Sequence, residues 1–294
     1  MDNNLTNYWD NESLRARIAD PYRRIRYEAG SPNSHEIECY GYCLSKGFRL
    51  GAKKADGWHI VVLGMTPELR QMAHKMSCAV TCVDVSEEAI KLYCDWICEE
   101  DRIKENIVQA DWIRLPDVLN KPADAIIGDG VFGNMTSLED YTRVLRALRE
   151  SLGRDGFLVL RTIMVPSNFT ANKHAAQQLL KRFRAGELTE AEFGFGMRIF
   201  GSCSDAYNVQ TFLLDNKEVF LRYEDWFKKG ILSESEYAAI RRYYYAGPNL
   251  IPPQTVWETM LLEEGFTFQQ YTLKGKMWYE YYPIYYCFKN RTDS

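Results

Sequence analysis

The chain has 294 residues, of which 46% are hydrophobic and 26% charged, as is typical of a soluble globular protein. Its formal net charge of −4 argues against a protein held to nucleic acid by a basic surface, because neutralising phosphates requires clustered Lys and Arg. No apolar stretch approaches the roughly 20 residues of a membrane-spanning helix, and the N-terminus has no signal-peptide pattern. We therefore expect a cytoplasmic protein without nucleic-acid or membrane partners.

The cysteines do not form a metal-binding pattern. Eight are present, and three C-x-x-x-C pairs account for most of them. Structural zinc sites more often use C-x-x-C pairs with a second pair at a fixed distance, which this chain lacks. Buried cysteines also behave as small hydrophobic side chains. The sequence therefore predicts reduced thiols and no metal site.

Helices and strands are predicted in a regular order along the first part of the chain. Residues 8–55 are mostly helical, with a break at 30–33 and a helix from about 35 to 50. Short apolar runs then predict five strands at 59–63, 79–84, 107–108, 123–127 and 157–160. Ser86 and Ser137 are expected to cap two of the intervening helices, and residues 153–156 to form a turn. This alternation is typical of a parallel sheet with helices on both faces.

The alternation stops after residue 165. Helices are expected at 173–184, 190–195, 218–229 and 233–245, and a further helix opens at 252–253 and ends at Glu264. Two final strands, at 266–273 and 281–289, are expected to pair in antiparallel orientation. The region between 237 and 286 is rich in tyrosine. These rings could line an aromatic pocket or could be half-buried strand residues, and the sequence leaves both open.

The loop after the first strand indicates a nucleoside cofactor. Gly64 follows that strand, and Asp84 ends the second, the arrangement in which an acid binds ribose hydroxyls. Thr66 is expected to cap the next helix. NAD(P) would need free backbone N–H groups for its pyrophosphate, but Pro67 lacks an N–H and Glu68 adds a repelling carboxylate. S-adenosylmethionine has no phosphate and is cationic, so the loop favours it.

With these residues, the chain resembles the class I S-adenosylmethionine-dependent methyltransferases over 58–165 and, more loosely, over 252–290. The resemblance implies an α/β fold: a doubly wound, seven-stranded, mostly parallel Rossmann-like sheet with N-terminal helices and an inserted helical cap. The last strand is expected to insert between the fifth and sixth. The loop departs from the usual three-glycine form of the family. The implied cofactor-binding residues are Gly64, Met65, Thr66, Glu68, Asp84, Val85, Asp111, Trp112, Asp129 and Gly130.

The resemblance also implies roles for these residues. Val85 would pack on adenine, Asp111 and Trp112 would contact the adenine amino group and ring, and Asp129 would lie beside the methionine moiety. Structural alternatives stay open, since Asp84 could cap a helix, and Asp111 and Asp129 could be turn residues. Glu68 could simply complement its helix dipole.

The implied domain organisation has three parts. Residues 1–56 form an N-terminal helical cover, 57–165 with 251–294 the cofactor-binding core, and 166–250 an inserted helical lid for the substrate. The implied activity is methyl transfer to a small-molecule acceptor by in-line displacement. Because such a reaction needs correct placement more than a dyad, His174, Asp129 and Tyr22 are only candidates for a catalytic base.

The sequence leaves two other functions open. The same fold could serve as a non-catalytic module that holds the cofactor, and an NAD(P)-dependent oxidoreductase is the other alternative. The sequence leaves the oligomeric state open, a homodimer included, and it does not identify the acceptor.

Overall fold

The computed structural model of the protein describes residues 28–50, 57–167, 172–201, 206–244 and 247–290. Tyr22 and the first predicted helices lie outside these ranges. Helix α1 (Ser34–Leu50) confirms the helix predicted over 35–50. Its first turn is closed reciprocally: Asn33 Oδ1 accepts the Glu36 N–H at 3.1 Å, and the Glu36 carboxylate accepts the Asn33 N–H at 2.8 Å.

The alternating region forms strands and helices close to the predicted ones. In chain order these are β1 (His59–Leu63), α2 (Pro67–Lys75), β2 (Ala79–Asp84), α3 (Glu87–Tyr93), α4 (Glu99–Arg102), β3 (Asn106–Gln109), α5 (Leu115–Val118), β4 (Ala123–Asp129), α6 (Leu138–Ser151) and β5 (Leu152–Arg161). Both predicted caps are confirmed, because the hydroxyls of Ser86 and Ser137 accept backbone N–H groups at 3.1 Å.

The turn predicted over 153–156 falls inside the bounds of β5, where the strand is interrupted by a local turn. Leu152 pairs with Ala123 and Phe157 with Ala125, so the register with β4 shifts between these two pairs. A Cβ on Gly153 or Gly156 would stand 3.5 or 2.9 Å from the Ala123 carbonyl oxygen. A Cβ on Gly156 would also lie 3.0 Å from the Gly153 N, so the chain turns locally here and bulges out of its pairing with β4.

The remaining elements are mostly helical, as predicted. They are α7 (Ala175–Arg184), α8 (Glu190–Ile199), β6 (Tyr207–Asn208), β7 (Leu213–Leu214), α9 (Asn216–Lys228), α10 (Glu234–Arg241), β8 (Asn249–Leu250), α11 (Gln254–Glu263), β9 (Phe266–Tyr271) and β10 (Ile284–Lys289). The small antiparallel sheet β6-β7-β8 was not predicted. Strands of two residues are too short to show an alternating pattern.

The main sheet has the strand order β3-β2-β1-β4-β5-β10-β9. The first five strands are parallel, and β10 lies antiparallel between β5 and β9. This confirms the seven-stranded, mostly parallel sheet and the inserted last strand. From β1 the order proceeds to β2 and β3 on one side and to β4 and β5 on the other. Ligands of such sheets bind outside the carboxyl ends of the strands at this reversal.

The sheet is buried on both faces. In β1, Ile60 and Val62 pack in the layer that includes α1 and α2, whereas Val61 and Leu63 pack in the layer that includes α6 and α11. Continuous apolar strands are the sequence signature of this arrangement. Among the described helices, none has the length and apolar character required to cross a membrane.

A third hydrophobic cluster joins the inserted helices to the connection between β9 and β10. Trp278, Tyr279 and Tyr281 of this connection are buried with Phe195 and Tyr243 of the insertion. The Met164 N–H donates to the Tyr281 carbonyl at 2.9 Å, which fixes the connection at the carboxyl end of β5. Many tyrosines of the 237–286 region are thus core residues, and the insertion packs over this edge of the sheet.

Candidate active site

The loop after β1 turns sharply at Gly64. This residue has a φ of +82°, which glycine adopts without steric cost, and its N–H donates to the Val83 carbonyl at 2.8 Å. Thr66 holds the N-cap position of α2, but its side chain makes no capping hydrogen bond, so the expected cap is wrong in that respect. The side chain of Met65 is 3% exposed and packs in the layer with α1.

Asp84 ends β2 directly beside this loop. Its side chain is buried, and Oδ1 accepts the Ser86 N–H at 2.9 Å. A Cβ placed on Gly64 would lie 3.6 Å from Asp84 Oδ2, so this oxygen is directed at the glycine. Burial raises the pKa of Asp84 to about 6, against the opposing effect of the Ser86 and Val85 N–H groups. The helix cap itself is Ser86, whereas Asp84 offers a buried carboxylate to the loop.

The segment after β3 joins the same place through Trp112. The indole Nε1–H donates to the Val83 carbonyl at 2.7 Å, and this carbonyl also accepts the Gly64 N–H. Asp111 caps the short turn that carries the indole, since its Oδ1 accepts the Ile113 N–H at 3.1 Å. The Val83 carbonyl therefore connects the predicted site residues that follow β1 and β3 to the end of β2. Val85, directly after Asp84, is half-buried.

The ends of β4 and β5 carry a buried ion-pair network. Asp129 and Arg161 are opposite each other in the β4–β5 register, and the Arg161 Nε and Nη2 groups both contact the Asp129 carboxylate, the second at 3.1 Å. Arg161 also binds the carboxylate of Glu36 on α1 and is 2% exposed. Although burial opposes the charge, these carboxylates hold the pKa of Arg161 well above its ordinary range. Burial raises the pKa of Glu36.

Tyr40 of α1 fixes the spacing of these two strands. Its hydroxyl donates to the Gly128 carbonyl at 2.7 Å and accepts the Arg161 N–H at 2.9 Å, and its side chain is fully buried. Beyond it, Gly130 has a φ of +64° and donates its N–H to the Arg161 carbonyl at 2.9 Å. Sequence reasoning missed Tyr40, Glu36 and Arg161. A charged Arg at the end of an apolar strand was the one available signal.

The two candidates for a catalytic base that the structure describes, His174 and Asp129, both have polar partners. His174 is exposed at the start of α7, where its Nδ1 lies 3.1 Å from Gln177 Oε1. Asp129 is engaged by Arg161 as described above. Within the described ranges, the cysteines are free thiols, and no cluster of three or more His, Cys, Asp or Glu could hold a metal ion.

The insertion is anchored to the segment that follows β4. Asn249 of β8 donates to the Gly133 carbonyl at 2.7 Å. Arg198 of α8 holds both this asparagine and Asn216, the latter at 3.0 Å. Buried amide contacts of this kind fix orientation as well as position. The insertion therefore has a fixed attachment beside Asp129 and Gly130.

Comparison with known proteins identifies the fold. No family model and no curated protein matches the sequence. The CcbJ methyltransferase from Streptomyces caelestis superposes with a TM-score of 0.56 at 13% identity, covering 98% of this chain and 99% of that chain. The plantazolicin methyltransferase BamL, solved with S-adenosylhomocysteine, gives 0.53 at 9% identity, covering 97% and 94%. The chain has the Rossmann-like methyltransferase fold.

A third structure with a similar TM-score carries a different description. A protein from Rhodobacter sphaeroides, provisionally assigned as a Zn-dependent alcohol dehydrogenase, superposes at 0.59 with 13% identity, covering 99% of this chain and all of that chain. At such low identities the likeness concerns the fold alone. The residues at the sheet edge, and not the fold, determine the chemistry.

Proposed function

We propose that this protein is an S-adenosylmethionine-dependent methyltransferase that acts on a small-molecule acceptor. The observation that carries the proposal is the pairing of Gly64, at φ +82°, with the buried carboxylate of Asp84 at the reversal point of the sheet. A buried carboxylate directed at a glycine turn suits the two hydroxyls of a ribose, which can donate to its oxygens.

The N-terminus of α2 favours S-adenosylmethionine over NAD(P). Pro67 stands at the first position of the helix and has no N–H, and Glu68 places an acid in the first turn. A pyrophosphate would lose a donor and meet a like charge there, whereas a sulfonium and an ammonium would not. No group of metal-ligating side chains within the described ranges favours a zinc-dependent dehydrogenase.

The residues proposed to hold the cofactor lie on the loops that follow four strands. Asp84 would accept hydrogen bonds from the ribose hydroxyls. Trp112, whose indole N–H donates to the Val83 carbonyl, would lie beside the adenine ring. Glu68 would complement the positively charged methionine part of the cofactor. When bound, the cofactor supplies an electrophilic methyl group on sulfur. The full proposed set is Gly64, Met65, Thr66, Glu68, Asp84, Val85, Asp111, Trp112, Asp129 and Gly130.

The contribution of this chain to methyl transfer is proposed to be placement and exclusion of water. The cofactor would bind to the core formed by residues 57–165 and 251–294. The acceptor would be covered by the helical lid of residues 166–250, and the N-terminal helical cover would be formed by residues 1–56. The packing of Phe195 and Tyr243 on the β9–β10 connection, over the carboxyl end of β5, supports this arrangement. In-line displacement gains most from correct approach, so no dedicated base is assigned.

A binding and turnover experiment tests the proposal. Calorimetry is performed with S-adenosylmethionine, S-adenosylhomocysteine, NAD and NADP, and labelled S-adenosylmethionine is then incubated with small alcohols, phenols, carboxylic acids, amines and thiols. We expect binding of the first two ligands and label transfer to one acceptor class. Binding of NAD or NADP without binding of S-adenosylmethionine or S-adenosylhomocysteine contradicts the proposal. Tight S-adenosylmethionine binding without any transfer favours the non-catalytic module.

A further inference from the structure

Tyr282 lies between the carboxyl edge of the sheet and the insertion. One face of its ring covers the Arg161 guanidinium, with 4.7 Å between the Arg161 Cζ and the ring centroid. The ring of Phe195 on α8 lies beside it, with 5.6 Å between centroids. Because Arg161 holds Asp129, the phenol is one side chain away from the end of β4.

The backbone that carries Tyr282 is fixed on both sides. The Tyr282 N–H donates to the Trp278 carbonyl at 3.0 Å, which closes a turn in the β9–β10 connection. The carbonyl of the preceding residue, Tyr281, accepts the Met164 N–H at 2.9 Å, and Trp278 itself is fully buried. A side chain held in this way loses little further freedom when it binds a ligand.

The hydroxyl of Tyr282 differs from the other phenols around it. Tyr141 and Tyr207 donate to the adjacent carbonyls of Leu250 and Ile251, at 3.0 and 2.7 Å. The Tyr286 hydroxyl is fully buried and has no hydrogen-bond partner. Within the part of the chain that the structure describes, the Tyr282 hydroxyl makes no hydrogen bond. It is also not one of the fully buried polar atoms that have no partner.

We propose that Tyr282 determines acceptor specificity by donating a hydrogen bond from its hydroxyl to an oxygen substituent of the methyl acceptor. This inference rests on the proposed function and adds a substrate class to it: small molecules that carry a phenolic, carboxylate or carbonyl oxygen. A phenol donor needs a lone pair, and an aliphatic amine has none to offer at neutral pH, because it is protonated.

The surroundings keep this phenol in its donor form. Burial raises the pKa of Tyr282, with the carboxylates of Asp129 and Glu36 acting in the same direction and Arg198 and Arg161 opposing it. The group is therefore protonated at neutral pH and acts as a donor, not as a base.

The test compares the wild type with Tyr282→Phe and with Tyr237→Phe as a matched control. Tyr237 is also half-buried, and its ring stacks on Phe227 at 4.8 Å within the insertion. Calorimetry with S-adenosylhomocysteine and thermal unfolding are measured first. 4-Nitrophenol, a small probe with a phenolic oxygen, is then titrated into each protein saturated with S-adenosylhomocysteine, and its absorbance is followed.

We expect all three proteins to share one melting temperature and one S-adenosylhomocysteine affinity, with 4-nitrophenol bound about tenfold more weakly by Tyr282→Phe alone. Equal probe affinity in Tyr282→Phe and the wild type, or no probe binding by the wild type, overturns the inference but leaves the proposed function intact. A lowered melting temperature in Tyr282→Phe alone assigns the hydroxyl a structural role and also overturns it. Absence of S-adenosylhomocysteine binding in all three overturns the proposed function and this inference with it.

Discussion

Trp112 donates its indole N–H to the carbonyl oxygen of Val83, which is the last residue before Asp84. The same oxygen accepts the Gly64 N–H, so one peptide group connects the ends of three strands. The position of the Asp84 carboxylate is thereby coupled to a residue that follows β3. Indirect support of this kind is how binding groups are held within a fraction of an ångström.

Replacing Trp112 with Phe should weaken cofactor binding several-fold and lower the free energy of unfolding by about 1 kcal/mol, because one hydrogen bond is lost while an aromatic side chain is retained. Urea unfolding and calorimetry measure the two effects. Trp58→Phe is the control, since Trp58 precedes β1 at the opposite edge and stacks on Phe48. An S-adenosylhomocysteine affinity equal to that of Trp58→Phe would contradict the supporting role.

Replacing Asp84 with Ala should weaken S-adenosylmethionine binding by about 1.5–3 kcal/mol, or roughly 10- to 150-fold in Kd, as for hydrogen bonds to a charged group. Calorimetry gives the value directly. Asp117→Ala removes an exposed acid from α5 and should leave the Kd unchanged. The assignment of Asp84 fails if both variants bind equally well.

The pKa of Asp84 predicts opposite pH trends for stability and for binding. Burial raises this pKa from 3.8 to about 6, so the contribution of Asp84 to stability is present below pH 3.8 and is lost as the pH rises through 6. Ribose hydroxyls favour the ionised form, so cofactor affinity should increase about tenfold from pH 5 to pH 7. Calorimetry at several pH values checks this, and Asp84→Asn should show a flat profile over the same range.

Replacing Gly64 with Ala should lower the free energy of unfolding by about 1–2 kcal/mol, because the residue has a positive φ. It should also weaken cofactor binding, since the new methyl group faces Asp84 Oδ2. Gly230→Ala is the matched control, with a φ of +70° and no heavy atom within 4 Å of its new Cβ. The two variants should be similarly destabilised, and only Gly64→Ala should lose affinity.

Replacing Arg161 with Met should lower the free energy of unfolding by about 3–5 kcal/mol, because the carboxylates of Glu36 and Asp129 remain buried without their partner. The loss should be smaller at pH 5 than at pH 8, because burial raises the pKa of Glu36 and protonation removes its unpaired charge. Denaturant unfolding measures both. The triple variant with Glu36→Gln and Asp129→Asn should recover much of the stability, and equal instability of both variants would argue against this charge balance.

The strand ends were predictable from the sequence because both faces of the sheet are buried. The short apolar run of β1, rich in β-branched residues, predicted a strand covered on two sides, and its end placed Gly64 at the carboxyl edge. Asp84 then followed from the next apolar run by the same reasoning. Position at a strand end, rather than any motif of several residues, carried the prediction.

The network around Arg161 could not be predicted in this way. Glu36 and Arg161 are separated by 125 residues, and their contact depends on α1 packing across the ends of β4 and β5. No pattern of neighbouring residues in the sequence predicts a contact over this separation. The glycines of 153–156 indicated the local turn, but the pairing of Leu152 with Ala123 before that turn depends on the neighbouring strand and could not be predicted.

The position of β10 also governs the order in which the sheet can be completed. β9 pairs with β10, and β10 pairs with β5, although β10 is the last of these strands in the sequence. During synthesis, the open edge of β5 must therefore remain exposed until residues 284–289 have emerged. Exposed strand edges pair with other chains, so a nascent or truncated form ending before β10 carries an aggregation-prone edge that the finished protein covers.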